Sequence, residues 1–388
     1  MVKQTKEVEG EIAENFDSSI YHLRSEKDIV EDISFKEAKT KMKTFLRTHL
    51  KSPNLNIFLG SGCSLKAVPL MSDTFKDLKA KETGLLLGQF SGENKNIEGY
   101  LDWLNTGIRF LGDKELNEKD KKNKLEYSFN ITKKYLYDSI VKNYDDKKNE
   151  ILETKRNYRE FYNALFSIRD IKDYPPLNVF TTNYDLFNEV AMEDLGIQYT
   201  NGFTGTVKRV FSPSVFQLRL VDDQNRYKDK WTIYRRYVKL FKIHGSIDWK
   251  YDKSSENVIQ STIGDDDWED TLIYPTINKH LETQQSPYSE LFRSLTINLQ
   301  KANSTLIVIG YGFPDEHINH LISQALLNED FTLIVFGNKE EEGAKKFIEK
   351  HQNKPNLHFI GGSINSDNDA HFFANVIDYI NGGYDDDE

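Results

Sequence analysis

The sequence predicts an α/β protein, a Rossmann-like doubly wound parallel sheet carrying a long helical insertion. Three observations predict it. Short apolar runs, of the kind buried on both faces of a parallel sheet, recur at residues 55–59, 177–181, 238–243, 305–309 and 332–336. Helical periodicity separates most of them, so strands alternate with helices. Finally, the runs end in glycine, asparagine, histidine or serine, which lines one edge of the sheet with small and polar residues.

The elements follow in chain order. Residues 1–33 are acidic and weakly periodic and read as an arm, which with the next helix makes an N-terminal segment over 1–50 ahead of a main domain over 51–388. Ser34-Phe35-Lys36-Glu37 fits a capping box, and Ala38, Met42, Phe45 and Leu46 share a helical face. The first strand runs into Gly60-Ser61-Gly62-Cys63-Ser64, and Ser72-Asp73 marks the next helix start. Residues 83–172 read as mostly helical: Ile97, Tyr100, Leu101, Leu104 and Ile108 keep a 3.6-residue period, as do Tyr158, Phe161, Tyr162 and Leu165. Residues 203–236 alternate weakly, as edge strands or a hairpin would, and 271–274 form a short strand stopped by Pro275. Pro287 is expected at the first helical position of the next helix. A helix over 317–327, a last strand over 357–360, a helix over 371–380 and an acidic tail complete the chain.

Bulk properties narrow the chemistry. With 388 residues, 38% of them hydrophobic, the chain can bury a large core. A net charge of −10 gives no general attraction for nucleic acid or an anionic membrane. The single cysteine, Cys63, excludes an internal disulfide and a cysteine-based zinc site, so no metal is expected. The N-terminus is too charged for a signal peptide and no apolar run approaches a bilayer span; a reduced, cytoplasmic setting without membrane contact is expected.

Four strand ends carry candidate chemistry. Gly60 and Gly62 allow a sharp turn and close backbone approach to a pyrophosphate, with Ser61 and Ser64 adding hydroxyls. Thr181-Thr182-Asn183-Tyr184-Asp185 places an amide able to donate and accept at a strand's carboxyl end, with Asp185 as loop brace or helix cap. Lys242-Ile243-His244-Gly245-Ser246 delivers an imidazole suited to general-base work. Gly310-Tyr311-Gly312 and Gly337-Asn338 end two further strands.

Taken together and in this order, these segments resemble the NAD-binding motifs of the sirtuins, over about residues 54–340. The wording His-Gly-Ser-Ile-Asp-Trp and Gly-Tyr-Gly-Phe-x-Asp-x-His-Ile-Asn resembles the bacterial sirtuin-like antiphage effectors more than the deacylases. By this likeness Asn183 and His244 match the catalytic pair. Gly60, Ser61, Gly62 and Ser64 match the phosphate loop, Thr182 and Asp185 flank the catalytic Asn, and Gly310, Tyr311 and Asn338 match residues near the ribose and adenosine. The four zinc-binding cysteines of the deacylases are missing, and the helical insertion stands in place of that module.

The resemblance implies NAD+ as substrate and cleavage to nicotinamide and ADP-ribose, in an effector that depletes NAD+ during abortive infection. It further implies a homo-oligomer and a HerA-like ring ATPase as partner. An NAD-dependent deacylase or ADP-ribosyltransferase is the alternative on the same site. A nucleic-acid-binding or nuclease subunit is the other, resting on the basic and aromatic mixture Arg226-Tyr227-Lys228, Lys230-Trp231 and Arg235-Arg236-Tyr237.

Overall fold

The computed structural model describes residues 18–82, 84–92, 96–112, 119–141, 148–170, 174–228, 230–262, 271, 286–366 and 368–381. The chain begins with β1 (Ser19–Arg24), β2 (Lys27–Asp28), α1 (Phe35–His49) and β3 (Asn54–Leu59), followed by helices α2 (Met71–Lys81), α3 (Ile97–Leu111), α4 (Lys119–Val141) and α5 (Asn149–Arg169). Then come β4 (Leu177–Thr181), α6 (Phe187–Asp194), β5 (Gln198–Thr200), β6 (Phe203–Thr204), β7 (Arg209–Phe211), β8 (Val221–Tyr227), β9 (Lys230–Ile233) and β10 (Tyr237–Lys242). The last part holds β11 (Trp249–Asp252), β12 (Asn257–Gln260), α7 (Tyr288–Leu299), β13 (Ser304–Ile309), α8 (Glu316–Ala325) and β14 (Thr332–Phe336). It ends with α9 (Glu342–His351), β15 (Leu357–Asn365), β16 (Asn368–Asp369) and α10 (Phe373–Asn381).

The central sheet has the order β2-β1-β15-β14-β13-β3-β4-β10-β5, with β16 on β15. From β15 to β5 every neighbour is parallel. From β3 the chain winds outward to β5 and β10, then returns to β13 on the other side of β3 and winds away through β14 and β15. Strand order thus reverses between β3 and β13, where an open α/β sheet offers a ligand crevice at the strands' carboxyl ends.

The continuous apolar runs have a direct cause. Successive side chains alternate faces, so Ile57, Val179, Leu240, Ile307 and Ile334 join one core with α1, α5, α6 and α10. Phe58, Phe180, Phe241, Val308 and Val335 join another with α7, α8 and α9. Helices cover both faces, so the strands read as near-continuous apolar runs, with the buried amides of Asn56 and Asn178 bonded to each other. A third apolar cluster joins α2, α3 and α4, built on Phe75, Leu78, Tyr100, Leu101, Leu104, Leu136 and Ile140; it also takes in Tyr184 and Ile247. Among the described residues no strand occurs between β3 and β4.

Several local expectations need correction. Part of the supposed arm is structural: β1 pairs antiparallel with β15 and closes that edge of the parallel sheet. Helix α2 starts at Met71 with Leu70 as its N-cap, so Asp73 stands in the first turn, favourable there for its charge. Pro287 is the N-cap of α7 and not its first helical residue. The last strand extends to Asn365 because β1 and β16 give it partners. The capping box at Ser34 and Glu37 forms with both reciprocal bonds. The weakly alternating stretch divides: β6 and β7 enter a four-stranded sheet with β11 and β12, and β8 and β9 pair as a ribbon. Residues 1–17, 272–274 and the acidic tail lie outside the described residues. Among the described residues no helix is long and apolar enough to cross a membrane, and no group of three His, Cys, Asp or Glu could hold a metal ion.

Candidate active site

The sheet register brings the candidate loops together. β13, β3, β4 and β10 are consecutive neighbours, so the segments that follow them emerge side by side at one edge. The Gly60 amide donates to Ile309 O at 2.9 Å and the Gly62 amide to Gly310 O at 2.8 Å. A Cβ on Gly60 would stand 2.3 Å from Gly310 O, and Gly310 itself has a φ of +66°. These glycines therefore serve first to let two strand-end loops touch at the switch point; the amides of Gly60 and Gly62 are already engaged there. Ser61 is exposed on the outer side of this turn, whereas Ser64 is buried.

Asn183 is 6% exposed and its amide is fixed. Its Nδ2 donates to Gly60 O at 3.0 Å and lies 3.3 Å from Ser64 Oγ and 3.5 Å from Tyr158 OH. Gly60 O can only accept, so the amide orientation is settled by chemistry. The backbone amide of Asn183 donates to Thr181 Oγ1 at 3.0 Å. The side-chain Oδ1 is buried without a hydrogen-bond partner among the described residues. A buried acceptor left this way costs free energy unless water or a ligand donates to it. Asn183 is thus an acceptor held ready by three groups on its other side.

Tyr158 of α5 is the residue that sequence reasoning placed in a helical core and did not connect with the site. Its phenol sits 2.9 Å from Ser64 Oγ, and burial together with Asp185 raises its pKa well above the usual phenol value, so it stays protonated. Ser64 accordingly links α5 to Asn183.

His244 and Asp315 come from opposite sides of the site. Nε2 of His244 lies 4.0 Å from Asp315 Oδ2, with each side chain 10% exposed. Two strands, β3 and β4, separate β10 from β13 in the sheet, so this contact arches over the loops that carry Gly60 and Asn183. Asp315 is the N-cap residue of α8 but makes no side-chain capping bond. Tyr311 supports it: the phenol accepts from the Asp315 amide at 3.3 Å and lies 3.3 Å from Asn319 Oδ1. Burial and Asp315 raise the Tyr311 pKa, keeping it a neutral brace. An aspartate beside an imidazole stabilises the cationic form that a general base reaches on taking a proton.

The remaining candidates take distinct places. Thr182 is half-buried beside Asn183. Asp185 is buried and accepts from the Phe187 amide at 3.2 Å, which braces the turn into α6, whose N-cap is Leu186; burial raises its pKa. Asn338 is exposed and accepts the Glu340 amide at 2.9 Å. Its loop is held by Tyr21 of β1, which donates to Gly337 O and accepts the Lys339 amide, both at 2.9 Å. On the β8–β9 ribbon, the Arg226 guanidinium lies over the Trp231 ring at 5.0 Å.

No curated protein matches the chain. Asn183, His244, Asp315, Tyr311 and Asn338 all fall within a segment of known type, just under half of the chain, while the Gly60–Ser64 turn lies outside it and is brought in by the pairing of β3 with β4 and β13. Residues 177–360 match the family model of the SIR2-like domain, which supports a sirtuin-like family for this chain.

Proposed function

We propose that the chain binds NAD+ across these strand ends and hydrolyses its nicotinamide–ribose bond, giving nicotinamide and ADP-ribose. The observation that carries this is the Asn183 amide, clamped through Nδ2 with its buried Oδ1 left to accept, in one site with the His244–Asp315 pair. The SIR2-like match supports NAD-dependent chemistry, and the motif likeness supports the finer reading.

The residues suit this substrate. Positively charged nicotinamide leaves with its bonding electron pair and needs no strong acid, so the barrier lies in the oxocarbenium-like ribose left behind. Asn183 Oδ1 accepts from a ribose hydroxyl or the attacking water and sets its position. His244 takes the proton that water loses as the new C–O bond forms, Asp315 stabilises the resulting imidazolium, and the proton then passes to solvent. A helical insertion in place of a zinc module leaves water as the acceptor in preference to an acylated lysine. The role as an antiphage effector, the homo-oligomer and the pairing with a HerA-like ATPase rest on the motif likeness.

The test is NAD+ loss and ADP-ribose formation by the full chain, alone and in the presence of a HerA-like ring ATPase. Asn183→Ala and His244→Ala are each expected to lower turnover by about 100-fold or more. Full turnover in both variants would refute the assignment; nicotinamide release with a modified protein in place of free ADP-ribose would make the enzyme a transferase.

A further inference from the structure

The two loops that carry Asn183 and His244 meet at one carbonyl. Tyr184 O accepts the Ile247 amide at 3.1 Å, the Ser246 hydroxyl at 3.3 Å and the Lys242 ammonium at 3.4 Å. The same ammonium donates to Asp185 O at 2.5 Å and pairs with Glu189 Oε1 of α6 at 3.1 Å. Lys242 has a side-chain exposure of 0% and Glu189 of 6%.

An ammonium this deep is an unusual choice for a strand between Phe241 and Ile243, both themselves buried. Well-packed apolar side chains often replace a buried ion pair without loss of stability, so packing alone does not require the charge. What the charge accomplishes is directional. Its contacts reach from β10 to the segment after β4, and they grip that segment at the carbonyls of the two residues immediately after Asn183. The carboxylates of Asp185 and Asp248 are also buried nearby, and Glu189 interacts with Asp248 through space. Lys242 is the cation that offsets this group.

We propose that Lys242 is a positioning residue of the site: by clasping the Tyr184 and Asp185 carbonyls against Glu189, it holds the Asn183 loop in register with the His244 loop. Its catalytic readout rests on the NAD+ hydrolase reading; the clasp itself does not.

The experiment compares the full-length wild type with Lys242→Met and with the double variant Lys242→Met, Glu189→Met. The single variant strands a buried carboxylate and is expected to fold poorly. The double variant removes both charges and is expected to recover wild-type thermal stability. In that double variant kcat for NAD+ cleavage should fall by about 100-fold, the loss expected from an ångström of misplacement, with KM changing far less. Hydrogen exchange at the Ile247 amide should accelerate while the amides of β3 and β13 keep their protection. A stable double variant with wild-type kcat overturns the proposal, and so does one with unchanged Ile247 exchange. A wild-type chain that cleaves no NAD+ in any condition removes the hydrolase reading, and the exchange rates then decide the clasp by themselves.

Discussion

Asn183 is oriented by what surrounds its nitrogen, not by what its oxygen touches. Gly60 O, Ser64 Oγ and Tyr158 OH gather on one side of the amide, and two of them are hydroxyls that themselves need orienting. Tyr158 is therefore expected to influence turnover without touching substrate. Tyr158→Phe removes one oxygen and leaves the ring in its apolar surroundings. It should lower kcat by about tenfold, the worth of one ordinary hydrogen bond, with little change in KM or melting temperature. Steady-state NAD+ cleavage beside thermal unfolding checks this. Asp315 belongs to the same scale. An aspartate before a helix reads as an ordinary cap, and only the fold reveals that its carboxylate stands near His244 instead.

At the scale of elements, the strand-end loops depend on glycine at the β3–β13 junction. Gly60→Ala would force a Cβ to within 2.3 Å of a backbone oxygen that cannot swing aside. A loss of about 3 kcal/mol in unfolding free energy is expected, measurable by chemical denaturation, with NAD+ cleavage falling in parallel. The elements differ in how legible they are from sequence. β3, β4, β10, β13 and β14 stand out because burial on both faces demands apolar runs, and their terminal Gly, Asn and His residues mark the site. β1 does not stand out. It is a strand of six residues, Ser-Ile-Tyr-His-Leu-Arg, near the margin of the sheet, with polar residues interrupting its apolar ones and its main partner more than three hundred positions away. Lys242 escapes notice for a related reason. A lysine at a strand's end looks solvated until β4 and α6 cover it.

For the molecule as a whole, buried titratable groups at opposite ends of the sheet set opposing pH dependences. At the β1–β15 edge His22 Nε2 lies 2.9 Å from His358 Nδ1, and burial lowers their pKa values to about 4 and about 3 from 6.5. The unfolded chain binds protons at these positions that the folded chain does not, so their contribution to stability is complete above pH 6.5 and is lost as pH falls towards 4. For His22 that loss is roughly 3 kcal/mol. Glu189 acts the other way: burial pushes it up to about 7, so its contribution is complete below pH 4.5 and is lost as pH rises through 7. Replacing both imidazoles, His22→Leu with His358→Leu, should flatten the acid limb of stability against pH and leave the Glu189 limb, as denaturation series from pH 4 to 8 would measure. The helical segment between β3 and β4 has a longer reach. Because Tyr184 and Ile247 are part of its apolar core, it does not end at its own boundaries. Cutting out α3 and α4 would bare Tyr184 and Ile247 and uncover the loops of Asn183 and His244, so the inner face of these helices is tied to the chemistry although it lies far from it in the chain.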